Sequence, residues 1–260
     1  MLENYRLVIL DYPKLTLRNE DSRKAFSDML FAKQMNFERS SVKYIPMSGL
    51  DMVSTHYLIY DIRNPFQSKP ILAIRTCFEE RVRHHDLSLP IDQYIGIAPE
   101  GFQRKFATFR SENTPLVDCN AWFVDPEYSY SKTNVSLSEI AYFTVISFIL
   151  RKGFNNWVGA TNERFKASRW ASKTGYFEDG LIFTHHQVKD PHKLILINSF
   201  NYPWLNSCVE KYGALLHKTF EIFPQETPTT EKLLPISQVF SEIQHRANSE
   251  QERGFQNIAV

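Results

Sequence analysis

One helix constrains this chain more than any other feature. Residues 136–152 open with Ser136 and Glu139, spaced as an S-x-x-E capping box, and close on Arg151, Lys152 and Gly153, which suit a helix's carbonyl end. Between these ends Leu137, Ile140, Ala141, Val145, Ile146, Phe148, Ile149 and Leu150 surround almost the whole cylinder. A helix apolar all round is one covered on both sides. Strand-like segments flank it at 118–124 and 155–160, a polar loop (125–135) leads into it, and a further helix ends at Gly175. A buried crossover helix between two strands predicts that they pair in parallel.

The entrance of that helix has its own chemistry. First-turn amides and the helix dipole attract anions, and here Lys132, Thr133, Asn134 and Ser136 surround them, so this loop is the expected seat of a phosphate. The formal net charge of +1 argues against a nucleic-acid partner, which usually demands a basic face. Three separated cysteines, Cys77, Cys119 and Cys208, fit a reducing compartment rather than a disulfide framework. The first residues include Glu3 and Asp11 and lack a basic-then-apolar leader, and the apolar run 140–150 is too short to cross a bilayer. We expect a cytoplasmic protein without a membrane span. His84-His85-Asp86 and His185-His186 read as structural, because neighbours on a strand point to opposite faces, and no metal site is expected.

The remaining pattern predicts a strand at 5–10, a helix at 21–35 and a loop at 37–50. Strands at 57–62 and 70–78 read as an antiparallel hairpin around Asn64-Pro65. Residues 79–100 look irregular, and 103–110 read as a weak strand. Segments 181–187 and 193–199 suggest a second hairpin turning through Asp190-Pro191, followed by a helix at 201–212 ending at Gly213. A proline-rich linker near 227–230 precedes an amphipathic helix using Val239, Phe240 and Ile243, and the last ten residues read as disordered. The expectation is an α+β fold with a mixed central sheet flanked by helices. Its main domain would span 1–215, with 216–260 a linker, C-terminal helix and flexible tail.

The order of elements, with Trp122-Phe123-Val124-Asp125-Pro126 before the crossover helix and residues 162–176 after the next strand, resembles the GCN5-related N-acetyltransferase (GNAT) superfamily. Within it, Asp51 with Tyr57-Leu58-Ile59-Tyr60-Asp61 and Ile71-Leu72-Ala73-Ile74-Arg75 resembles the acyl-homoserine lactone synthase and N-acyl amino acid synthase branch, over residues 26–199. The resemblance implies an acyl thioester of pantetheine held where two central parallel strands splay apart, here 118–124 and 155–160. It also implies catalytic roles for Asp118 and Asp51, substrate contacts for Trp122 and Phe123, and a cofactor-side place for Asn162. No permanently bound cofactor is implied. The donor would be acyl-CoA or an acyl-phosphopantetheine carrier protein, and the acceptor a small amine.

Departures from the pattern sharpen this. The glycine-rich acetyl-CoA loop is replaced by Ser131-Lys132-Thr133-Asn134-Val135-Ser136, Ala171 stands where many acetyltransferases carry a general-acid tyrosine, and Ala121 stands where the synthase branch often has arginine. Acyl transfer to an amine needs proton removal, donors for the tetrahedral oxyanion and a dry acyl channel. Asp118, at the start of the central strand, is the leading candidate to grip or deprotonate the amine. Arg75 interrupts an apolar run and is either an outward strand residue or a carboxylate clamp. Cys119 beside an acid reads as a small core residue rather than a nucleophile. The expected function is N-acyl transfer, with a non-catalytic module binding an acyl or amphipathic ligand, or a conventional acetyltransferase, as the alternatives.

Overall fold

The strands are β1 (Tyr5–Asp11), β2 (Thr55–Asp61), β3 (Leu72–Phe78), β4 (Val117–Val124), β5 (Trp157–Asn162), β6 (Ile182–His185), β7 (Val188–Ile197) and β8 (Phe220–Ile222). They form one sheet in the order β6-β7-β5-β4-β3-β2-β1-β8. This computed structural model describes residues 2–39, 47–63, 69–128, 135–163, 168–175, 182–185, 188–225 and 233–256. Helices are α1 (Pro13–Thr16), α2 (Glu20–Arg39), α3 (Gly49–Val53), α4 (Glu79–His84), α5 (Pro90–Ile95), α6 (Glu100–Asn113), α7 (Leu137–Arg151), α8 (Ser168–Thr174), α9 (Tyr202–His217) and α10 (Ile236–Gln256).

Strand alternation sorts the core into two faces. Leu7 and Ile9 of β1 join the cluster built on α7, α9 and α10, with Ile140, Phe143, Leu205 and Phe240. Val8 and Leu10 face the other way, onto Phe26 and Met29 of α2. On that same second face, at the far end of the sheet, Ile91 of α5 and Phe106 of α6 cover Val158, Leu194 and Leu196. The crossover helix α7 is buried on every side, as its sequence predicts. Ser136 Oγ accepts from the Glu139 amide at 3.2 Å, while Glu139 Oε2 takes the Tyr212 hydroxyl at 2.5 Å. Among the described residues no helix is long and apolar enough to cross a membrane.

Several local expectations are corrected. Residues 103–110 belong to α6, whose Phe102, Phe106 and Phe109 form a narrow stripe at helical spacing against the second face. The segment 79–100 contains α4 and α5. Asp190-Pro191 is not a turn, since Pro191 pairs with Thr184 inside the sheet, next to a register shift that accommodates a residue lacking an N–H donor. Helix α9 continues past Gly213 to His217, and the glycine serves packing instead of a stop, since a side chain at 213 would crowd the Phe240 ring of α10 (3.3 Å). The tail read as disordered is helical as far as Gln256. The short β8 was not foreseen, and it pairs in parallel with β1.

Candidate active site

β4 and β5 are parallel neighbours in mid-sheet, yet among the described residues they pair only at Asp118 and Val158. Beyond that point they diverge. The first three residues of each strand are buried, whereas Asn120, Ala121 and Trp122 of β4 and Ala160, Thr161 and Asn162 of β5 are half-exposed. Half-exposed residues on two mid-sheet strands that have stopped pairing mark a candidate cleft. Two local features shape it. Gly159 sits where the strands pinch, since a Cβ there would lie 2.7 Å from the Cys119 carbonyl oxygen. Past the pinch, Ala73 and Arg75 of β3 are matched to Phe123 and Asn120, so β4 carries an extra residue, and Ala121 takes a left-handed φ of 53°. Alanine there costs about 1–2 kcal/mol, and such strained positions cluster at functional sites.

On the α5 side of the cleft runs a chain of polar side chains. Asp51 of α3 is fully buried and receives Lys33 Nζ at 2.6 Å, Arg75 Nη1 at 2.5 Å, and both the backbone N–H and hydroxyl of Ser48. Burial alone would push this carboxyl up, but Arg75 and Lys33 outweigh it and hold it below the usual carboxylate range. His56, whose Nε2 donates to the Asp51 carbonyl at 2.7 Å, is lowered to about 4 by burial and is neutral at pH 7. Arg75 Nε then donates to Asn120 Oδ1 at 2.7 Å, and Asn120 Nδ2 to Asp118 Oδ1 at 3.1 Å. Asp118 Oδ2 takes the Ile91 amide at 2.6 Å. Only 1% of Asp118 is exposed, and burial raises its carboxyl to about 6 despite these donors.

The structure thus joins Asp51, Arg75 and Asp118 in one network. The two residues that complete it, Lys33 and Asn120, were not singled out from sequence. Asn120 had a signal, since it stands two positions from Asp118 and so shares its strand face. Trp122 lies across the sheet, its ring 4.6 Å from that of Tyr142 in α7. Phe123 is buried in the core beside α2 rather than in the cleft. Ser136 caps α7, and Asn162 ends the diverging half of β5, paired with His192. Lys132, Thr133 and Asn134 lie outside the described residues. Cys77 and Cys119 are buried thiols whose burial pushes them up, away from nucleophilic character. No group of His, Cys, Asp and Glu among the described residues is placed to hold a metal ion.

A mixed sheet with a buried crossover helix between two diverging central parallel strands matches solved structures over nearly the whole chain. The CoA-dependent acyl-homoserine lactone synthase BjaI, solved with MTA, superposes with a TM-score of 0.52, covering 90% of this chain and 98% of its own at 10% identity. The chain has a GNAT-like fold. BjaI with SAM and isopentyl-CoA gives a TM-score of 0.51 at 8% identity over the same shares, 90% and 98%. FeeM, an N-acyl amino acid synthase from uncultured soil microbes, gives 0.48 at 14% identity, covering 80% of this chain and 98% of its own. Identities this low relate folds alone. No family profile and no curated protein sequence matches the chain. In GNAT-like terms, β4 and β5 are the splayed central pair, and α7 is the crossover helix between them.

Proposed function

We propose that this protein is an N-acyltransferase that moves an acyl group from a pantetheine thioester, carried on coenzyme A or an acyl carrier protein, to a small amine. The observation that carries the reading is the cleft between β4 and β5 with the Asp118–Asn120–Arg75–Asp51 chain along one wall. Diverging strand edges offer backbone N–H and C=O groups to an extended ligand with amides of its own, and pantetheine is such a chain. The same edge supplies N–H donors for the oxyanion formed when an amine attacks the thioester carbonyl. In that step the N–C bond forms and the C–S bond breaks. The amine's proton passes to Asp118, by way of a bridging water at the half-exposed Asn120, and the leaving thiolate is protonated in turn. That BjaI has been solved with isopentyl-CoA and SAM supports a cleft with one side for a thioester and one for a small acceptor.

Arg75 is assigned to the acceptor. Its Nε and Nη1 are committed to Asn120 and Asp51, while Nη2 makes no hydrogen bond among the described residues. That arm suits a carboxylate or carbonyl oxygen of the amine substrate. Arg75→Lys keeps a cation beside Asp51 but loses the fork, so KM for the acceptor should rise about 10- to 100-fold, as expected for a charged hydrogen bond. KM for the donor should stay near the parent value, which steady-state kinetics with each substrate varied separately would check, while the melting temperature should fall somewhat as Asn120 and Asp51 lose the fork. Equal rises in both constants would mean that Arg75 is structural. The function itself is tested by incubating the protein with acyl-CoA and acyl-carrier thioesters and a pooled set of amines, then searching for new amides by mass spectrometry. Free thiol release with no amide formed, or no turnover with any donor, would count against the reading.

A further inference from the structure

Among the described residues Asn120 alone touches both halves of the polar chain, and its orientation is not arbitrary. A guanidinium has donors and no acceptor, so the atom 2.7 Å from Arg75 Nε must be the amide oxygen. The NH2 group is then presented to Asp118 Oδ1 at 3.1 Å and to the Asp118 carbonyl at 3.4 Å. Asp118 Oδ2 already faces the Ile91 N–H. Both carboxyl oxygens therefore meet donors, and a protonated Asp118 has nowhere good to send its own O–H. Turned over, the same amide would offer its oxygen to that O–H.

We propose that Asn120 is a positioning residue whose amide, oriented by Arg75, holds Asp118 in its carboxylate form and reverses to favour the acid when Arg75 releases it. The proposal deepens the acyl-transfer reading, on which its purpose rests: an acceptor that takes Arg75 Nη2 and turns the guanidinium so that Nε leaves the Asn120 oxygen readies Asp118 to receive a proton. Neighbouring groups define the background. Asp118 faces Arg75 and Cys77 of β3, Asp92 and Tyr94 of α5, and Cys119 of its own strand. Asp92 opposes ionisation and is itself paired with Arg110 at 2.7 Å, and Cys77 lies 3.5 Å from the Asn120 amide. Burial pushes the carboxyl towards neutral pH, so a change in one hydrogen bond moves its charge within the working range.

The test follows the Asp118 carboxyl carbon by NMR across pH in the intact protein, with no substrate and no turnover. Asn120→Ala should raise the midpoint by about one pH unit, a tenfold change in proton affinity, because the charge-stabilising N–H is lost. Asn120→Ser, which keeps a small donor, should recover part of it. Arg75→Met should raise the midpoint more when made in the parent than when made together with Asn120→Ala, since reversal of the amide is possible only in the first. If Arg75→Met does not fold, Arg75→Lys takes its place. Equal shifts with and without Asn120→Ala would mean that Arg75 acts through its field alone, and an unmoved midpoint in Asn120→Ala would mean that the amide does not govern the carboxyl. Either result overturns the proposal while leaving acyl transfer itself untouched.

Discussion

Asp118→Asn is expected to lower kcat/KM by about 10²- to 10⁴-fold, the usual worth of a positioned general base. In the proposed transfer an ionised carboxylate would take the amine's proton, and burial puts that of Asp118 at about 6. The parent kcat/KM should therefore climb through pH 6 to a plateau, and the variant profile should lack that limb. Stability moves in the opposite sense. Asp118 is raised above its ordinary 3.8, so its contribution to folding is fully present below about pH 3.8 and is lost as pH rises through 6. The loss is on the order of 3 kcal/mol, two pH units' worth of differential proton binding. Asparagine never ionises and avoids it, although its NH2 group must face one of the donors that now serve the carboxylate. The melting temperature of the variant relative to the parent should rise between pH 4 and pH 8. Parent-like turnover, or a difference in melting temperature that does not change with pH, would remove Asp118 from the proton-accepting role. Such a trade of stability for an ionisable buried group is what an active site costs its fold.

The largest expected effect on stability lies elsewhere, at Arg81. Its side chain is fully buried on α4, with Nη1 and Nη2 donating to Asp11 Oδ1 and Oδ2 at 2.7 and 3.2 Å, and its guanidinium lies 4.4 Å from the centre of the Tyr12 ring. Asp11 also accepts from Thr55 and from Lys152. Arg81→Met keeps much of the volume but takes the two guanidinium donors from a buried carboxylate and leaves it with Lys152 and Thr55, which should destabilise the protein by about 3 kcal/mol at pH 7. Burial works against Asp11 ionising, and Arg81 and Lys152 overcome this to hold it at about 2, below the ordinary 3.8. A depressed carboxylate stabilises above its unfolded value and loses that contribution as pH falls through 2. The gap between parent and variant should therefore be widest at neutral pH and narrow below pH 4. Urea unfolding at pH 7 and pH 3 would measure both values, and a gap independent of pH would mean that the loss comes from packing around Tyr12 and Phe78. Asp11→Asn combined with Arg81→Met should recover part of the stability, because the buried carboxylate that lost its guanidinium is then gone, and the recovery is incomplete because Lys152 loses Asp11 as its partner.

Chain-local chemistry was readable without the tertiary structure. The capped ends of α7, its apolar surface and the strands on either side dictate a crossover and a parallel pair, because each depends on periodicity and on residues a few positions apart. Arg75 stood out as a charge in an apolar run, and Asp118 as an acid at the start of the central strand. Where a short segment carried competing signals, the tertiary context decided. Residues 103–110 become helix because three phenylalanines at helical spacing meet an apolar sheet face, and Pro191 enters a strand because a register shift excuses its missing donor. The cleft and its wall belong wholly to the fold. Asp51 meets Arg75 across 24 residues and Asn120 meets Arg75 across 45, and nothing local in the chain encodes a contact at that separation. The divergence of β4 from β5 is likewise a property of two strands and not of either, and it begins where β4 carries an extra residue against β3. Sequence determined the crossover unit and picked out Asp118, Arg75 and Asp51 as candidates. Only the tertiary structure decided which of them meet, because burial and long-range pairing set the charge on Asp118 and the orientation of Asn120.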